Sequence, residues 1–332
     1  MTDRREGRRV VNAFELSPPG AEFIDFGDDV ERLDFSAVPR SPLERLIKRP
    51  KLSRYRAAGE AVRAAGGMPI ISHLPRMTAA VQSIQWLHRD RSPHLAFAFN
   101  FTDLPTGFSL AYMKRALATV DRFIVFSEFE RQLYPGYFAL EAARFHYLRW
   151  AQEPPPIAPE PSPFRRNSYV SAVGGEGRDY ASLIAAARRL PDIDFVIIAR
   201  PYNQVVDLPG NVQFLTNVPL GQTWRIASDS SCLVVPLRDR QTCCGHITLV
   251  SGELLGLPVI STHSEATVEY TKNVALCEPG DVAALAALIR DHHGLAEERK
   301  AEAAIRASAK RADYDRAIWR NVLRRELSDL QS

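Results

Sequence analysis

Short apolar runs alternate with amphipathic stretches through most of this chain. From Met68 onward, MPIISH, HLAFAFNF and RFIVFS are strand-length runs dominated by apolar residues, and TAAVQSIQWLH and SLAYMKRALATV between them have helical spacing. Strands alternating with helices at this pace predict right-handed βαβ crossovers and a parallel sheet covered on both faces. The pattern restarts at Tyr169 with YVSAVGG, then SLIAAARRL, DFVIIAR, NVQFLT, GQTWRIAS, SCLVVPL, ITLVSGELLG, LPVIS, NVALCEP and VAALAALIRDHHG, which predicts a second open sheet of six strands with its helices. The first 40 residues, rich in Pro, Gly, Asp and Phe, show no sustained period and read as mostly irregular, with one short strand at VVNAF. Residues 295–332 read as a charged helical tail, docked by Trp319 and Leu323 at one-turn spacing.

The proline-dense segment EPPPIAPEPSP separates the two runs and can neither pair in a sheet nor continue a helix. A length of 332 residues suits two domains of roughly 150 each. The expected organisation is therefore a first lobe over 1–150, a linker over 151–163, a second lobe over 164–294 and the tail over 295–332. Doubly wound lobes bind ligands at the carboxyl ends of their strands, so functional residues are expected on loops that follow strands.

Composition narrows the class. A hydrophobic content of 45% with 24% charged residues argues against disorder, fibre or a disulfide scaffold. No run approaches the roughly 18 apolar residues needed to span a bilayer. The N-terminal MTDRREGRRVV lacks the apolar core of a secretory signal, so a cytoplasmic location is expected. The four cysteines, Cys232, Cys243, Cys244 and Cys277, have no CxxC spacing and read as reduced thiols. A net charge of +3 does not suggest nucleic acid as a partner. Its distribution is uneven, with eight basic and two acidic residues between Arg40 and Arg63. With Leu43, Leu46, Ile47, Leu52 and Tyr55 interleaved, that stretch reads either as a surface for an anionic membrane or as a solvated loop and helix interrupted by Pro50.

Two loops carry the chemistry. Gly174-Gly175-Glu176-Gly177-Arg178-Asp179-Tyr180 runs from a strand straight into a helix. Its glycines permit close backbone approach, the helix start offers free N–H groups, and Arg178 adds a planar cation. Thr242-Cys243-Cys244-Gly245-His246-Ile247-Thr248 likewise opens a helix on a glycine. Together they suit a diphosphate, although a glycine-rich loop alone also reads as a tight strand-to-helix turn, and the Gly174 loop does not match GxGxxG or P-loop spacing. In the first lobe, His73, Asn100, Asp103, Ser127 and Glu128 fall at strand ends. His73 or Asp103 would orient or deprotonate an acceptor, or else His73 is a hydrogen-bonded structural residue and Asp103 and Ser127 cap helices.

The order GGEGRDYASLIAAARRL, FVIIARP, NVQFLTNVP, CLVVPLRDRQTCCGHITLVSGELLGLPVIST and VEYTKNVALCEPGDVAALAALI resembles the C-terminal lobe of retaining GT-B glycosyltransferases of the large family 4 kind, over about 120 residues. The resemblance implies a GT-B-like α/β fold of two Rossmann-like lobes facing a central cleft. It implies an N-terminal acceptor-binding lobe, a C-terminal nucleotide-sugar-binding lobe, and a UDP- or GDP-sugar as co-substrate. Carried over by position, it sets the donor diphosphate against Gly174, Gly175 and Arg178, where the family usually has lysine. The base falls near Arg200, Pro201, Asn217 and Val218, and the diphosphate and sugar against Cys244, Gly245, His246, Ile247 and Thr248. Two family glutamates fall on Cys243 and Ser251, and the nearest acid is Glu253, about 200° further round the helix from Ser251.

The activity implied is sugar transfer to a glycan or lipid-linked glycan in cell-surface polysaccharide or glycoconjugate synthesis, at the inner face of the membrane. Arg178 and backbone amides would stabilise the leaving diphosphate, with retention and without metal, consistent with the absence of ligand-spaced His/Cys clusters. The departures at Cys243 and Ser251 leave open a weakly active or inactive partner protein, and a sugar-nucleotide epimerase is the other enzyme of this fold.

Overall fold

In the computed structural model, which describes residues 8–15, 30–47, 51–164 and 168–331, every pair of neighbouring strands runs parallel. The chain divides into two units, one of Met1–Leu148 with Arg316–Ser332 and one of Arg149–Asp315.

The first unit contains β1 (Arg8–Phe14), β2 (Val30–Ser36), α1 (Pro42–Leu46), α2 (Leu52–Ala65), β3 (Ile70–His73), α3 (Pro75–His88), β4 (His94–Phe97), α4 (Gly107–Leu117), β5 (Arg122–Val125), α5 (Glu128–Phe138) and β6 (Phe145–Tyr147). Its six strands are ordered β2-β1-β3-β4-β5-β6. The short strand expected at VVNAF is β1. The irregular reading of the first 40 residues needs correction at β2, a seven-residue strand. Among the described residues only β1 pairs with β2, and most of β2 is partly exposed, so Glu31, Arg32 and Asp34 are tolerated and its apolar pattern is faint. Beyond β2 the strand order advances in one direction, so right-handed crossovers stack α2, α3, α4 and α5 as successive neighbours on one face. Val11, Ala13, Ile70 and Val81 fill one part of the core, and Phe99, Phe123, Tyr134 and Phe138 another.

In the basic stretch, Arg56 is ion-paired with Glu44 and Glu60, Arg40 with Glu60, and Lys51 and Arg54 with Glu15. Half of its eight cations are thus matched within the fold; Lys48, Arg49 and Pro50 lie outside the described residues.

The second unit contains β7 (Tyr169–Val173), α6 (Tyr180–Arg188), β8 (Asp194–Ala199), β9 (Val212–Thr216), α7 (Leu220–Asp229), β10 (Cys232–Val235), α8 (His246–Leu254), β11 (Val259–Thr262), β12 (Ala275–Cys277), α9 (Val282–Gly294) and α10 (Ala296–Lys310). The six strands are ordered β12-β11-β10-β7-β8-β9. After β7 the chain winds one way through β8 and β9, then returns to the other side of β7 and winds the opposite way. The order therefore reverses between β7 and β10. The proline-dense segment runs along this unit, with Ala158 N–H bonded to Gly221 O at 3.0 Å and Ser162 N–H to Asp229 Oδ2 at 2.9 Å.

The end of the chain divides. Whereas α10 packs on α8, the last helix, α11 (Ala317–Gln331), belongs to the first unit. Trp319 is buried 5.1 Å from the ring of Phe97 and 5.8 Å from that of Phe126, and Leu323 is fully buried one turn on. His146 Nδ1 bonds Glu326 Oε1 at 2.7 Å. Among the described residues no helix is long and apolar enough to cross a membrane.

Candidate functional site

The carboxyl ends of β7 and β10 carry the two glycine loops, and they meet at the point where strand order reverses, which is where open α/β sheets leave a crevice. The loop after β7 pairs with the loop after β10: Asp179 N–H donates to Pro236 O at 2.8 Å and Arg238 N–H to Gly177 O at 3.0 Å. Arg178 then joins the first loop to the second. Its Nη1 donates to Glu176 O at 2.9 Å and its Nη2 to Thr248 Oγ1 at 3.0 Å, while its buried Nε has no hydrogen-bond partner. Cys244 Sγ donates to Glu176 O at 3.1 Å, a second tie between the loops.

The glycines are required by this arrangement. Gly174 has φ +127°, and a Cβ there would fall 2.7 Å from Arg178 Nη2. Gly245 has φ +110°, and its Cβ would fall 2.9 Å from Leu237 Cδ2. No side chain caps α8, which leaves the amides of Ile247 and Thr248 in its first turn facing an acceptor, with His246 beside them. The α6 start differs from the sequence expectation, since Asp179 caps it by accepting from Ser182 N–H at 3.0 Å. That carboxylate occupies one amide of the first turn, so on this side the cation of Arg178 and the loop itself are the groups offered to an anion.

Arg200 and Pro201, exposed after β8, fold back on the glycine loop. Asn203 Nδ2 donates to Gly175 O at 2.9 Å, Tyr202 hydroxyl bonds the Glu176 carboxylate, and a Cβ on Gly175 would meet Arg200 Cγ at 2.6 Å. Asn217, at φ +58°, and Val218 follow β9, one strand further out. His246 is buried with its ring 5.1 Å from Trp150 and 5.8 Å from Tyr270. Burial, assisted by the charge of Arg178, pulls its pKa down to about 3, so it is a neutral packing element at the helix start. Ser251 is buried and accepts from Gln152 Nε2 at 2.8 Å, and Cys243 Sγ reaches Gln241 O at 3.4 Å. Glu253 bonds the Tyr314 hydroxyl, Lys310 Nζ at 3.0 Å and Asn273 Nδ2 at 3.1 Å. Its carboxylate is thus engaged with the C-terminal part of the second unit.

In the first unit, His73 closes β3 between Phe14 and Phe97, and its Nε2 lies 2.6 Å from Asn12 Oδ1. Asn12 gives its Nδ2 to Asp34 at 2.9 Å, and Asp34 accepts from Arg32 Nε at 2.9 Å. A carboxylate only accepts, so Asn12 must turn its carbonyl to His73, and Nε2 carries the ring proton. Burial, then the charge of Arg32, lowers the His73 pKa to about 3. A neutral imidazole of this kind orients a partner and is a poor store for a proton at neutral pH. Asp103 is exposed ahead of α4, whose N-cap is Thr106, and Ser127 caps α5 by accepting from Glu130 N–H at 3.1 Å. Sequence reasoning passes over Asn12 and Asp34; their only sign is two polar residues among the apolar positions of VVNAF and RLDF.

No family model matches the chain, and no curated protein matches it in sequence. Among solved structures it is similar to Anabaena HepE in complex with UDP-glucose, at 14% identity and TM-score 0.69 over 97% of this chain and 99% of that one. It is also similar to sucrose-phosphate synthase from Thermosynechococcus elongatus, at 17% identity and TM-score 0.63 over 96% and 89% of the two chains. A third is α,α-trehalose-6-phosphate synthase from Burkholderia multivorans, at 10% identity and TM-score 0.67 over 98% and 99%. These are GT-B glycosyltransferases, and at such identities the likeness is one of fold: the chain has the GT-B fold of two Rossmann-like α/β lobes.

Proposed function

We propose that this protein is a nucleotide-sugar-dependent glycosyltransferase that moves a hexose from a UDP- or GDP-sugar to a glycan or lipid-linked glycan, with retention and without metal, in cell-surface polysaccharide or glycoconjugate synthesis at the cytoplasmic face of a membrane. The observation that carries the reading is Arg178, held at the strand-order reversal and tied to both glycine loops. A guanidinium there, with the amides of Ile247 and Thr248 at the start of α8 and His246 beside them, forms a preorganised positive site for the charge that develops on a leaving diphosphate. The UDP-glucose complex of the similar HepE structure supports a nucleotide sugar as the donor. Gly174, Gly175 and Gly245 let the backbone approach the diphosphate, with Cys244 beside it. Arg200, Pro201, Asn217 and Val218 are offered as the base side. His73, neutral with its tautomer set by Asn12, is offered as an orienting group for the acceptor, together with Asp103.

The test is a thermal-shift screen of UDP, GDP, ADP and CMP sugars, followed by donor hydrolysis without acceptor. Stabilisation by one nucleotide class and slow hydrolysis of its sugar are expected, both lost in Arg178→Ala. Full transfer by Arg178→Ala would overturn the mechanism. The engagement of Ser251 with Gln152, at a position where the resembling family carries glutamate, favours one second reading, a partner protein without turnover. Donor binding without hydrolysis or transfer across the panel would select it.

A further inference from the structure

The helical face of the first unit carries large apolar side chains that its own fold leaves uncovered. On α4, Phe108 is 96% exposed and Tyr112 41% exposed, and with Arg115 they recur at four- and three-residue spacing along one side of the helix. The neighbouring α3 lies against that side: Ser83 Oγ is 3.1 Å from the Tyr112 hydroxyl, and the Arg115 guanidinium stands 5.7 Å from the ring centroid of Trp86. Trp86 and Leu87 are themselves 74% and 66% exposed. Isolated exposed apolar residues are ordinary, but four on one pair of packed helices mark a contact surface.

The charge around it is predominantly positive. Between Arg76 and Thr119 the chain carries Arg76, Arg89, Arg91, Lys114 and Arg115 against two acids, Asp90 and Asp103. Asp90 already accepts from Gln85 Nε2 and Ser92 N–H. Among the described residues none of the five cations is ion-paired with a carboxylate, and Arg76, Arg89, Arg91 and Arg115 are exposed. Amphipathic Trp and Tyr rings beside unmatched arginines and a lysine fit an interface with an apolar interior and an anionic rim, which is the chemistry of acidic lipid. A second copy fits poorly, because a two-fold contact would set these cations against their own images.

We propose that the α3–α4 face, with Trp86, Leu87, Phe108 and Tyr112 at its centre, docks on an anionic lipid bilayer, its arginines and Lys114 meeting headgroup phosphates. The inference deepens the membrane-face part of the proposed function and is independent of its donor site, since docking needs neither Arg178 nor a nucleotide.

The other three tryptophans, Trp150, Trp224 and Trp319, are 7%, 5% and 2% exposed, so a change of environment at Trp86 is readable in the intact protein. The full chain is titrated with phosphatidylcholine vesicles with and without phosphatidylglycerol, following co-sedimentation and the tryptophan emission maximum. The expected result is binding to the acidic vesicles only, a blue shift, and weakening by salt. R89Q/R91Q should weaken binding about 30-fold, Phe108→Ser together with Leu87→Ser should weaken it further, and Trp86→Phe should bind but lose the blue shift. Circular dichroism confirms that each variant is folded. Absence of binding to acidic vesicles, binding indifferent to these substitutions, or a shift produced instead by soluble oligosaccharide or by raising protein concentration without lipid would each overturn the proposal.

Discussion

Replacing Gly174 by Ala is a two-part perturbation whose parts can be separated. The residue sits at φ +127°, so an alanine there costs on the order of 1–3 kcal/mol in backbone strain alone. Its Cβ would also lie 2.7 Å from Arg178 Nη2, closer than real Cβ contacts come, and 3.0 Å from Cζ. The obstructing group is the far end of a flexible side chain, so the clash is relieved when the guanidinium moves. That movement breaks its bonds to Thr248 Oγ1 and Glu176 O. A charged hydrogen-bonding group of this kind contributes about 1.5–3 kcal/mol toward an anion, or roughly 10- to 100-fold in Kd. Gly174→Ala should therefore weaken binding of the nucleoside diphosphate that most stabilises the wild type by about that factor. It should also lower Tm by several degrees. Isothermal titration of the wild type, Gly174→Ala, Arg178→Ala and the double variant distinguishes the routes. If Gly174 acts through Arg178, the double variant binds no worse than Arg178→Ala. Losses that add, or a Gly174→Ala that binds like wild type, would refute the assignment of Arg178 to the anion.

Three further outcomes follow from the packing and the titrating groups. Trp319→Ala should cost about 3–5 kcal/mol of stability, read as a lower urea midpoint, with diphosphate affinity in the second unit unchanged; an unmoved midpoint would contradict the docking of α11. His73, His94 and His246 are each lowered to about 3, chiefly by burial, so between 6.5 and 3 the unfolded chain binds more protons than the folded one. Stability should therefore fall as pH drops below 6.5, by up to about 1.4 kcal/mol per unit for each histidine, and His94→Gln should flatten the urea-midpoint profile between pH 7 and 5. His146 is raised, mainly by its bond to Glu326. Burial raises Glu326, but His146, Arg122 and Arg325 outweigh it and leave it lowered. The histidine's share of stability is full below 6.5 and is lost as pH rises through its folded value. The glutamate's share is present above 4.5 and is lost as pH falls through its lowered value. His146→Gln should thus cost more at pH 5.5 than at pH 8.5, and an equal cost at both would remove the charged pair from the account.

The parallel architecture is legible in the chain because strands buried on both faces need near-continuous apolar runs, as in FIVF, YVSAV and CLVV, each followed by a helix of different period. β2 and the three-residue β6 are not legible, because among the described residues each has a strand on one side only and needs little apolar pattern. The glycine loops are legible as exceptions to side-chain chemistry, since Gly174 and Gly245 answer a backbone geometry that other residues resist. Asp179 beside Arg178 is visible too, but whether it caps α6 or faces a ligand depends on a rotamer that spacing does not specify.

Taken alone, the sequence determines the succession of strands and helices, the glycines where backbone must come close, and the presence of a cation between them. Tertiary structure alone decides that β10 returns to lie beside β7 rather than beyond β9, which makes neighbours of Arg178 and Thr248, 70 residues apart. It also decides that His246 is buried between two aromatic rings, that Glu253 is engaged by Tyr314 and Lys310, and that α11 joins the unit formed by the start of the chain. The physical reason is one of range. Periodicity and propensity report what each residue requires of its immediate neighbours, whereas these outcomes follow from which apolar faces cover one another, a choice made by the whole chain at once.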